Sequence, residues 1–291
     1  MAEESTLRHP VVSGLFYPEG AQELEQTVDG YVAKADRASL YRTIREQTGI
    51  PDPETLTPIA LVAPHAGYIF SGAVQACSYS LLSGREIDTV VIVGPAHQVS
   101  FKGISVNLDG AFKTPLGLVD VDLDFAKGLI SYNKHICDNE ESHLTEHAIE
   151  VQLPFVQRVA PKAKIVAVLI GEQRWETSLL LKDALLSVMN ARPGRYVLVV
   201  STDLSHYHAH VEAAELDKVL MNGLRKMSAE SFFSDIQAGN AEACGFGGII
   251  TGLLLARERG KGKAAILSYR DSGEVSGDRR RVVGYLSASL Y

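Results

Sequence analysis

Residues 89–97, TVVIVGPAH, are the segment that most clearly indicates the fold class of this chain. Its first five residues are all β-branched, and a Gly-Pro pair and then His97 follow shortly after them. Such a continuous apolar run predicts a strand with both faces buried, as in a parallel sheet that helices cover on each side. Similar apolar runs at 59–63, 165–170 and 196–200 alternate with helical patterns along the chain. The sequence therefore predicts a three-layer α/β/α fold with a mostly parallel central sheet.

The predicted domain organisation is a single domain over residues 1–291. An N-terminal helical arm at about 20–50 precedes a proline-containing connector at 49–58, and the α/β core occupies about 58–291. A chain of 291 residues is long for one domain but routine for a large α/β fold. Its 46% hydrophobic residues are enough to form a sizeable core.

Composition and charge argue against several classes of function. The formal net charge is -7 and no basic stripe is present, which argues against a nucleic-acid partner. No apolar run reaches the roughly 20 residues that a membrane span needs, and the start MAEES does not resemble a signal peptide. We therefore expect a cytoplasmic protein without membrane contact, in which Cys77, Cys137 and Cys244 are reduced thiols.

Three of the predicted strands deliver a histidine close to their carboxyl ends, namely His65, His97 and His206. A single histidine in such a place is more often a hydrogen-bonded structural residue. Three of them favour a shared site, because ligands of open α/β sheets bind beyond the carboxyl ends of the strands. Neutral imidazole is the commonest metal ligand and transfers protons near pH 7. Asp203, three residues before His206, is placed to form a hydrogen-bonded acid/base pair with it.

Cys244 opens the glycine-rich segment CGFGG (244–248), just before an apolar stretch that predicts a helix. A thiol at a helix N-terminus has its thiolate favoured by the helix dipole, so we expect a depressed pKa and a role as ligand or nucleophile. The alternative is a small buried hydrophobic residue, packed where the glycines let two backbones approach.

The segment HLTEH, which begins at His143 and ends at His147, spells H-x-x-E-H, a zinc-peptidase signature that needs one regular helix around both histidines. The polar residues 138–142 predict a loop instead, so we expect His143 to lie before the helix and not to bind metal. Glu146, His147 and Glu150 remain a cluster near a helix start. Acidic groups there suit the helix dipole, or they support a metal-bound histidine from behind.

The order and spacing of these motifs resemble the Memo family nearly from end to end. The matching segments are GLFYP (14–18), APHAGY (63–68), GPAH (94–97), EHAIEVQLP (146–154), STD (201–203), CG (244–245), and the loop 272–278 with VGY (283–285). So many matches in one order are specific. The fold of the Memo family is similar to that of class III extradiol ring-cleavage dioxygenases, and the resemblance therefore implies a class III extradiol dioxygenase-like fold.

The resemblance also implies one metal ion per chain, Fe(2+) or Cu, held by His65, His97 and Cys244. In the similar dioxygenases two histidines and a glutamate hold Fe(II). Here a cysteine stands where they use a carboxylate, although Glu242 lies only two residues away. Two histidines and a thiolate suit softer metals, including copper, and this difference puts ring cleavage in doubt. No nucleotide cofactor is implied.

The remaining roles also come from the resemblance. His206 occupies the place of the dioxygenases' acid/base histidine, and Asp203 and His147 are implied to lie close to the metal. Memo-like proteins of bacteria and archaea are often encoded beside radical-SAM and AMMECR-type proteins, which suggests partners in a shared pathway.

Three hypotheses about function follow. The leading one is a non-haem metal oxidoreductase that acts on a small substrate such as a phenol, with His206 taking the substrate proton. The second is a non-catalytic protein that binds iron or copper or supports a partner protein. The third is a cysteine hydrolase with Cys244 as nucleophile, His206 as base and Asp203 as the group that orients the base.

Overall fold

The computed structural model describes residues 7–291, in which helices alternate with strands. The strands are β1 (Leu7–Arg8), β2 (Ala60–Ala63), β3 (Thr89–Pro95), β4 (Ile104–Val106), β5 (Ala111–Thr114), β6 (Gly117–Asp120), β7 (Ile136–Cys137), β8 (Lys164–Ile170), β9 (Tyr196–Ser201), β10 (His206–His208), β11 (Ala264–Asp271) and β12 (Val282–Leu290). The helices are α1 (Ala21–Lys34), α2 (Arg37–Thr48), α3 (Tyr68–Ser80), α4 (Leu123–Tyr132), α5 (Glu140–Leu144), α6 (His147–Glu150), α7 (Leu153–Val159), α8 (Trp175–Ala191), α9 (His210–Lys226), α10 (Ala229–Gln237), α11 (Phe246–Arg259) and α12 (Gly273–Ser276), with a 3-10 turn at Pro53–Thr55. The predicted α/β class is confirmed. None of the described helices combines the length and apolar character that crossing a membrane requires.

Within the described residues, nine strands form one sheet in the order β11-β12-β2-β9-β3-β8-β4-β7, and β10 pairs with the first residues of β12. The four central strands β2, β9, β3 and β8 are parallel, as predicted. The edges differ, because β12 runs antiparallel to β2 and β11, and β4 runs antiparallel to β8. The short connection between β11 and β12 explains their pairing, since a parallel pair needs a long crossover.

Side chains of β3 alternate between two helical layers, which makes the fold three-layered. Val90 and Ile92 pack with the cluster that contains side chains of α1, α2, α3 and α7, whereas Val91 and Val93 pack with the side chains of α4, α8, α9 and α11. Successive residues of a strand face opposite sides of the sheet, so one apolar run serves both cores. Each fully buried side chain of this size contributes about 1.5–3 kcal/mol to stability.

Three segments add detail to this architecture. The segment 103–120 contributes to two sheets, because β4 joins the central sheet while β5 and β6 form a separate sheet with β1. The N-terminal arm is two helices, and Asp36 caps the second by accepting from two backbone N–H groups. Helices α6 and α7 are separated by a break, because Pro154 near the start of α7 cannot continue a preceding helix.

The carboxyl ends of β2, β3 and β9 lie side by side because β9 pairs with both of the others. Ala63 stands opposite Ser201, and Val93 stands opposite Val200. The start of α11 packs against the same edge, since a Cβ on Gly248 would lie 2.9 Å from Val200 Cγ1. The segments that follow these three strands and precede α11 therefore meet at one place.

Candidate metal centre

Two histidines and one cysteine meet at this edge of the sheet. His65, His97 and Cys244 each offer one metal-ligating atom, and the three atoms lie within 4.8 Å of one another. The ring centroids of His65 and His97 are 5.1 Å apart, and His65 Nε2 is 3.2 Å from Cys244 Sγ. The predicted proximity of the two histidines is therefore confirmed.

The hydrogen bonds around His65 determine which ring nitrogen is free. His65 is buried, and its Nδ1 lies 3.0 Å from Ser201 Oγ. The Ser201 hydroxyl donates to the Ala148 carbonyl at 2.6 Å and accepts from the Gln152 side-chain amide at 2.9 Å. Because its proton is already used, Ser201 accepts from His65, which places the ring proton on Nδ1. The lone pair of Nε2 therefore faces Cys244.

Glu146 orients His97 in the same way. One carboxylate oxygen accepts from His97 Nδ1 at 2.9 Å and from the Ala148 backbone at 2.8 Å, and the other accepts from the His97 backbone at 2.6 Å. Burial alone would raise the pKa of Glu146, but the hydrogen bonds from His97 outweigh it and lower the pKa below its usual value. The ionised carboxylate keeps the proton on Nδ1, so His97 Nε2 is free. Such a carboxylate behind a histidine is a recurring feature of metal sites.

His147 adds a third imidazole to the cluster. Its ring stacks on His97 with 4.8 Å between centroids, lies edge-on to His65 at 5.4 Å, and contacts Phe16 at 5.0 Å. Its Nδ1 is 3.3 Å from the Glu146 carboxylate. Burial lowers the pKa of His147, and burial together with the neighbouring imidazoles lowers the pKa of His65 well below its usual value. Both rings are therefore neutral at pH 7, the form that binds metal.

Cys244 reaches the cluster because its loop approaches the end of β9 closely. A Cβ on Gly245 would lie 2.7 Å from the Ser201 carbonyl oxygen, so a larger residue would push the loop away. Gln173 holds the other side of the turn. Its side-chain amide donates to the Cys244 carbonyl, and its Oε1 accepts from the Gly247 backbone at 2.8 Å.

The pKa of Cys244 differs from the one expected for a thiol before a helix. Burial of the sulfur, with a further contribution from the Asp203 carboxylate, raises the pKa of the thiol to about 12. The Thr202 hydroxyl, 3.6 Å from Sγ, and the Asp203 backbone N–H, which donates to Sγ at 3.2 Å, both lower the pKa. The depressed pKa expected for the Cys244 thiol is therefore wrong for the metal-free protein. The cost of burying a thiolate away from water outweighs both favourable contacts.

Asp203 and His206 do not form the predicted hydrogen-bonded pair. Asp203 Oδ1 accepts from the His65 backbone at 2.8 Å, and its Oδ2 lies 4.0 Å from His65 Nε2. Burial raises the pKa of Asp203 to about 6 in spite of that hydrogen bond. His206 Nδ1 donates instead to the Leu204 carbonyl at 2.7 Å, since this group is within reach while the carboxylate turns toward His65. His206 therefore presents a free Nε2.

Glu150 orders the N-terminal segment and does not contact a ligand histidine. Its buried carboxylate pairs with Arg8 and accepts from the Tyr17 hydroxyl at 2.7 Å. It also accepts from the backbones of Val11 at 2.8 Å and Val12 at 3.0 Å. The predicted support of a metal-bound histidine thus fits Glu146, whereas the carboxylate of Glu150, one helical turn later, turns away toward the N-terminal segment.

His143 lies outside the cluster, as predicted, although on the short helix α5 and not in a loop. Its Nε2 is 2.9 Å from the Ser105 hydroxyl, and its carbonyl accepts from Arg8. Thr145 leaves the helical conformation between α5 and α6, so the two histidines of H-x-x-E-H do not share a helix face.

Sequence reasoning did not identify Ser201, Gln152 or Gln173 as parts of this site. Gln152 and Ser201 are 49 residues apart, and Gln173 is 71 residues from Cys244. Ser201 and Gln152 do lie within STD and EHAIEVQLP, two of the segments that resemble the Memo family, and this resemblance could have identified them. Neither pattern indicates which side chain turns toward His65.

Known proteins resemble this chain over nearly its whole length. A family model described as Memo-like protein matches residues 8–289. The chain is 34% identical over 286 residues to a MEMO1 family protein of Methanobrevibacter smithii, covering 97% of this chain and 98% of that relative. A relative from Methanocaldococcus jannaschii is 35% identical over 293 residues, with 97% and 98% covered, and one from Methanosarcina mazei is 35% identical over 281 residues, with 96% and 97% covered. The names of these relatives state a family and no activity.

Proposed function

This chain belongs to the Memo family, and from that premise we propose that it binds one iron or copper ion through His65, His97 and Cys244. We propose further that it acts as a non-haem oxidoreductase of dioxygenase-like type on a small, phenolic substrate. The observation that supports the site best is the convergence of two imidazoles and a thiol, with their ligating atoms within 4.8 Å.

The donor set fits a redox-active metal ion. Bonds of about 2.0 Å to imidazole nitrogen and about 2.3 Å to sulfur separate neighbouring donors by roughly 3–4 Å. The 3.2 Å between His65 Nε2 and Cys244 Sγ lies in this range. Two imidazoles and a thiolate form a softer set than two imidazoles and a carboxylate, so copper is accommodated as well as iron. When bound, such an ion would supply Lewis acidity and one-electron chemistry, and it would hold the sulfur as a thiolate.

His206 is the residue best placed to take a proton from a substrate hydroxyl. Its Nδ1 proton is held by the Leu204 carbonyl, so the lone pair on Nε2 is available as a base. Its imidazole is one of three, with those of His97 and His147, that add to the effect of burial in lowering the pKa of His65. Asp203 would act indirectly, since its carboxylate holds the His65 backbone in place.

The decisive experiment is metal analysis of protein purified anaerobically. We expect iron or copper in the wild type and none in the His65→Ala/His97→Ala double variant. His143→Ala is the matched control, because it removes a buried histidine outside the cluster and should leave metal content unchanged. Circular dichroism would verify that each variant is folded. A folded double variant with full metal occupancy would refute the site.

Oxygen consumption with simple phenols would then separate the oxidoreductase from a non-catalytic metal-binding protein. The cysteine hydrolase is disfavoured by two observations. The imidazole beside the sulfur is His65 and not His206, and the pKa of the thiol is raised. A protein that lacks metal but is acylated at Cys244 would restore that hypothesis.

Several expectations about the cellular role remain proposals. They are a small-molecule substrate, function without a nucleotide cofactor or nucleic-acid partner, a cytoplasmic location, and a pathway shared with radical-SAM and AMMECR-type proteins.

A further inference from the structure

Asp217 on α9 is a fully buried carboxyl group that the proposed metal centre does not use. Its Oδ1 accepts from the Ser205 backbone N–H at 3.1 Å, and its Oδ2 accepts from the Tyr269 hydroxyl at 2.8 Å. In the part of the chain that the structure describes it forms no ion pair with a cation, and the two histidines closest to it in sequence, His208 and His210, pair with other carboxylates. Burial of a carboxyl group without a cation costs stability, which is more typical of a functional residue than of a structural one.

The contact of Asp217 with Ser205 leads directly to His206. The Ser205 N–H belongs to the same peptide group as the Leu204 carbonyl, and this carbonyl accepts from His206 Nδ1 at 2.7 Å. His206 therefore donates to the oxygen of a peptide whose N–H donates to Asp217. One peptide group thus connects the carboxylate to the proposed base.

The neighbouring strand β12 holds this peptide group in place. The Leu204 N–H donates to the Gly284 carbonyl at 2.8 Å, and the Gly284 N–H donates to the Ser205 carbonyl at 3.0 Å. A Cβ at Gly284 would overlap Asp217 Oδ2, so the strand lies directly against the carboxylate. Leu204 and Ser205 are themselves fully buried, and water therefore cannot replace Asp217 as the acceptor for the Ser205 N–H.

The groups around Asp217 fit its ionised form. Burial raises its pKa, and the charge of Glu242 adds to this effect, whereas hydrogen bonds from Ser205 and Tyr269 lower it. Burial, together with the charge of Asp217, raises the pKa of Tyr269, so that this hydroxyl keeps its proton and donates. A carboxyl group that faces two donors accepts from both of them when it is ionised.

A carboxylate at the N–H end of a peptide strengthens the hydrogen bond at its carbonyl end. Hydrogen bonds in a chain polarise one another, and the effect is larger where water is excluded. The Leu204 oxygen therefore accepts more strongly from His206 Nδ1 than an ordinary carbonyl would. This stabilises the tautomer with the proton on Nδ1 and increases the electron density at Nε2, the atom that would take a substrate proton.

We propose that Asp217 is a positioning residue for His206 and acts through the Leu204–Ser205 peptide group. It takes the part of the hydrogen-bonded acid that the sequence predicted for Asp203. The inference rests on the proposed function for the role of His206 as a base. The contacts that support it require neither a metal ion nor a substrate.

The test measures the imidazole 15N chemical shifts of His206 by NMR at pH 8, in metal-free protein and in protein loaded with diamagnetic Cu(I). Asp217→Asn removes the charge and keeps both contacts, since the amide oxygen can accept from Ser205 and the NH2 group can donate to the Tyr269 hydroxyl. We expect the ratio of the Nδ1–H to the Nε2–H tautomer of His206 to fall several-fold. Asp122→Asn is the matched control, because Asp122 is a buried carboxylate that caps α4, and it should leave the ratio unchanged.

A folded Asp217→Asn variant with the wild-type tautomer ratio would overturn the inference, because a merely structural role would change stability and not the tautomer. An equal change in Asp122→Asn would overturn it as well. Gly284→Ala displaces the carboxylate, should lower the ratio too, and decides the question by the same measurement if Asp217→Asn does not fold.

Metal content of the same samples separates this inference from the proposed function. A wild-type protein that binds no metal but loses its tautomer preference in Asp217→Asn contradicts only the metal centre. Metal binding together with a tautomer ratio that does not depend on Asp217 contradicts only the role of Asp217.

Discussion

The Glu146→Gln variant tests whether the carboxylate behind His97 prepares this histidine for metal. Glu146 accepts three hydrogen bonds, from His97 Nδ1, the His97 backbone and the Ala148 backbone. Glutamine has nearly the same shape, but one of its two terminal atoms is an NH2 group that cannot accept. At least one of these donors therefore loses its partner, and the negative charge that favours the Nδ1 proton disappears.

Two effects of similar size are expected, one on metal affinity and one on stability. Loss of a partner behind a metal ligand weakens metal affinity about 10- to 100-fold, which corresponds to about 1.4–2.7 kcal/mol. A buried N–H group without an acceptor lowers the free energy of unfolding by about 1–3 kcal/mol. The site should therefore still bind metal, but measurably more weakly.

Competition with a fluorescent chelator under anaerobic conditions measures the affinity, and urea unfolding measures the stability. Glu242→Gln is the matched control. Glu242 precedes Cys244 by two residues, yet both of its carboxylate oxygens lie 3.0 Å from His208 Nε2. The Glu242→Gln variant should therefore leave metal affinity unchanged. Wild-type affinity in Glu146→Gln, or a loss in Glu242→Gln, would refute this account of the site.

Three further predictions concern stability and reactivity. Burial lowers the pKa of His143 to about 4, so below its unfolded value near 6.5 the unfolded chain binds more protons. Stability, measured by urea unfolding, should fall between pH 6.5 and pH 4 by at most about 1.4 kcal/mol per pH unit, and His143→Gln should flatten that range. Burial raises the pKa of Cys244 to about 12, so alkylation of this thiol in the metal-free protein should be slow at pH 7 and faster at higher pH. Bound metal should suppress the alkylation. Rapid labelling of Cys244 at pH 7 would contradict this prediction. Gly245→Ala places a Cβ 2.7 Å from the Ser201 carbonyl oxygen. It should lower the free energy of unfolding by about 1–3 kcal/mol and should also lower metal content. Gly30→Ala is the control, since a Cβ on Gly30 meets nothing within 4 Å, and it should lower neither quantity.

The α/β class and the residues that gather at one edge of the sheet could be predicted from local sequence patterns. The β-branched run of β3 can bury both faces only between two helical layers, and this property is local. Histidines placed just beyond parallel strands must share an edge once those strands pair, so the closeness of His65 and His97 could be predicted without coordinates. The antiparallel pairing of β4 and β12 could not be predicted, because no local pattern states the direction in which a strand joins the sheet.

The protonation and the orientation of the site residues depend on contacts between segments that are far apart in the chain. The tautomer of His65 depends on Ser201, which is 136 residues away, and that of His97 depends on Glu146, 49 residues away. The pKa of Cys244 depends on burial, which no local pattern indicates. Burial raises this pKa, whereas the helix dipole alone predicted a lowered one. The reason is physical: periodicity and turn signals reflect short-range sterics, whereas hydrogen bonds and desolvation arise only when distant segments pack together.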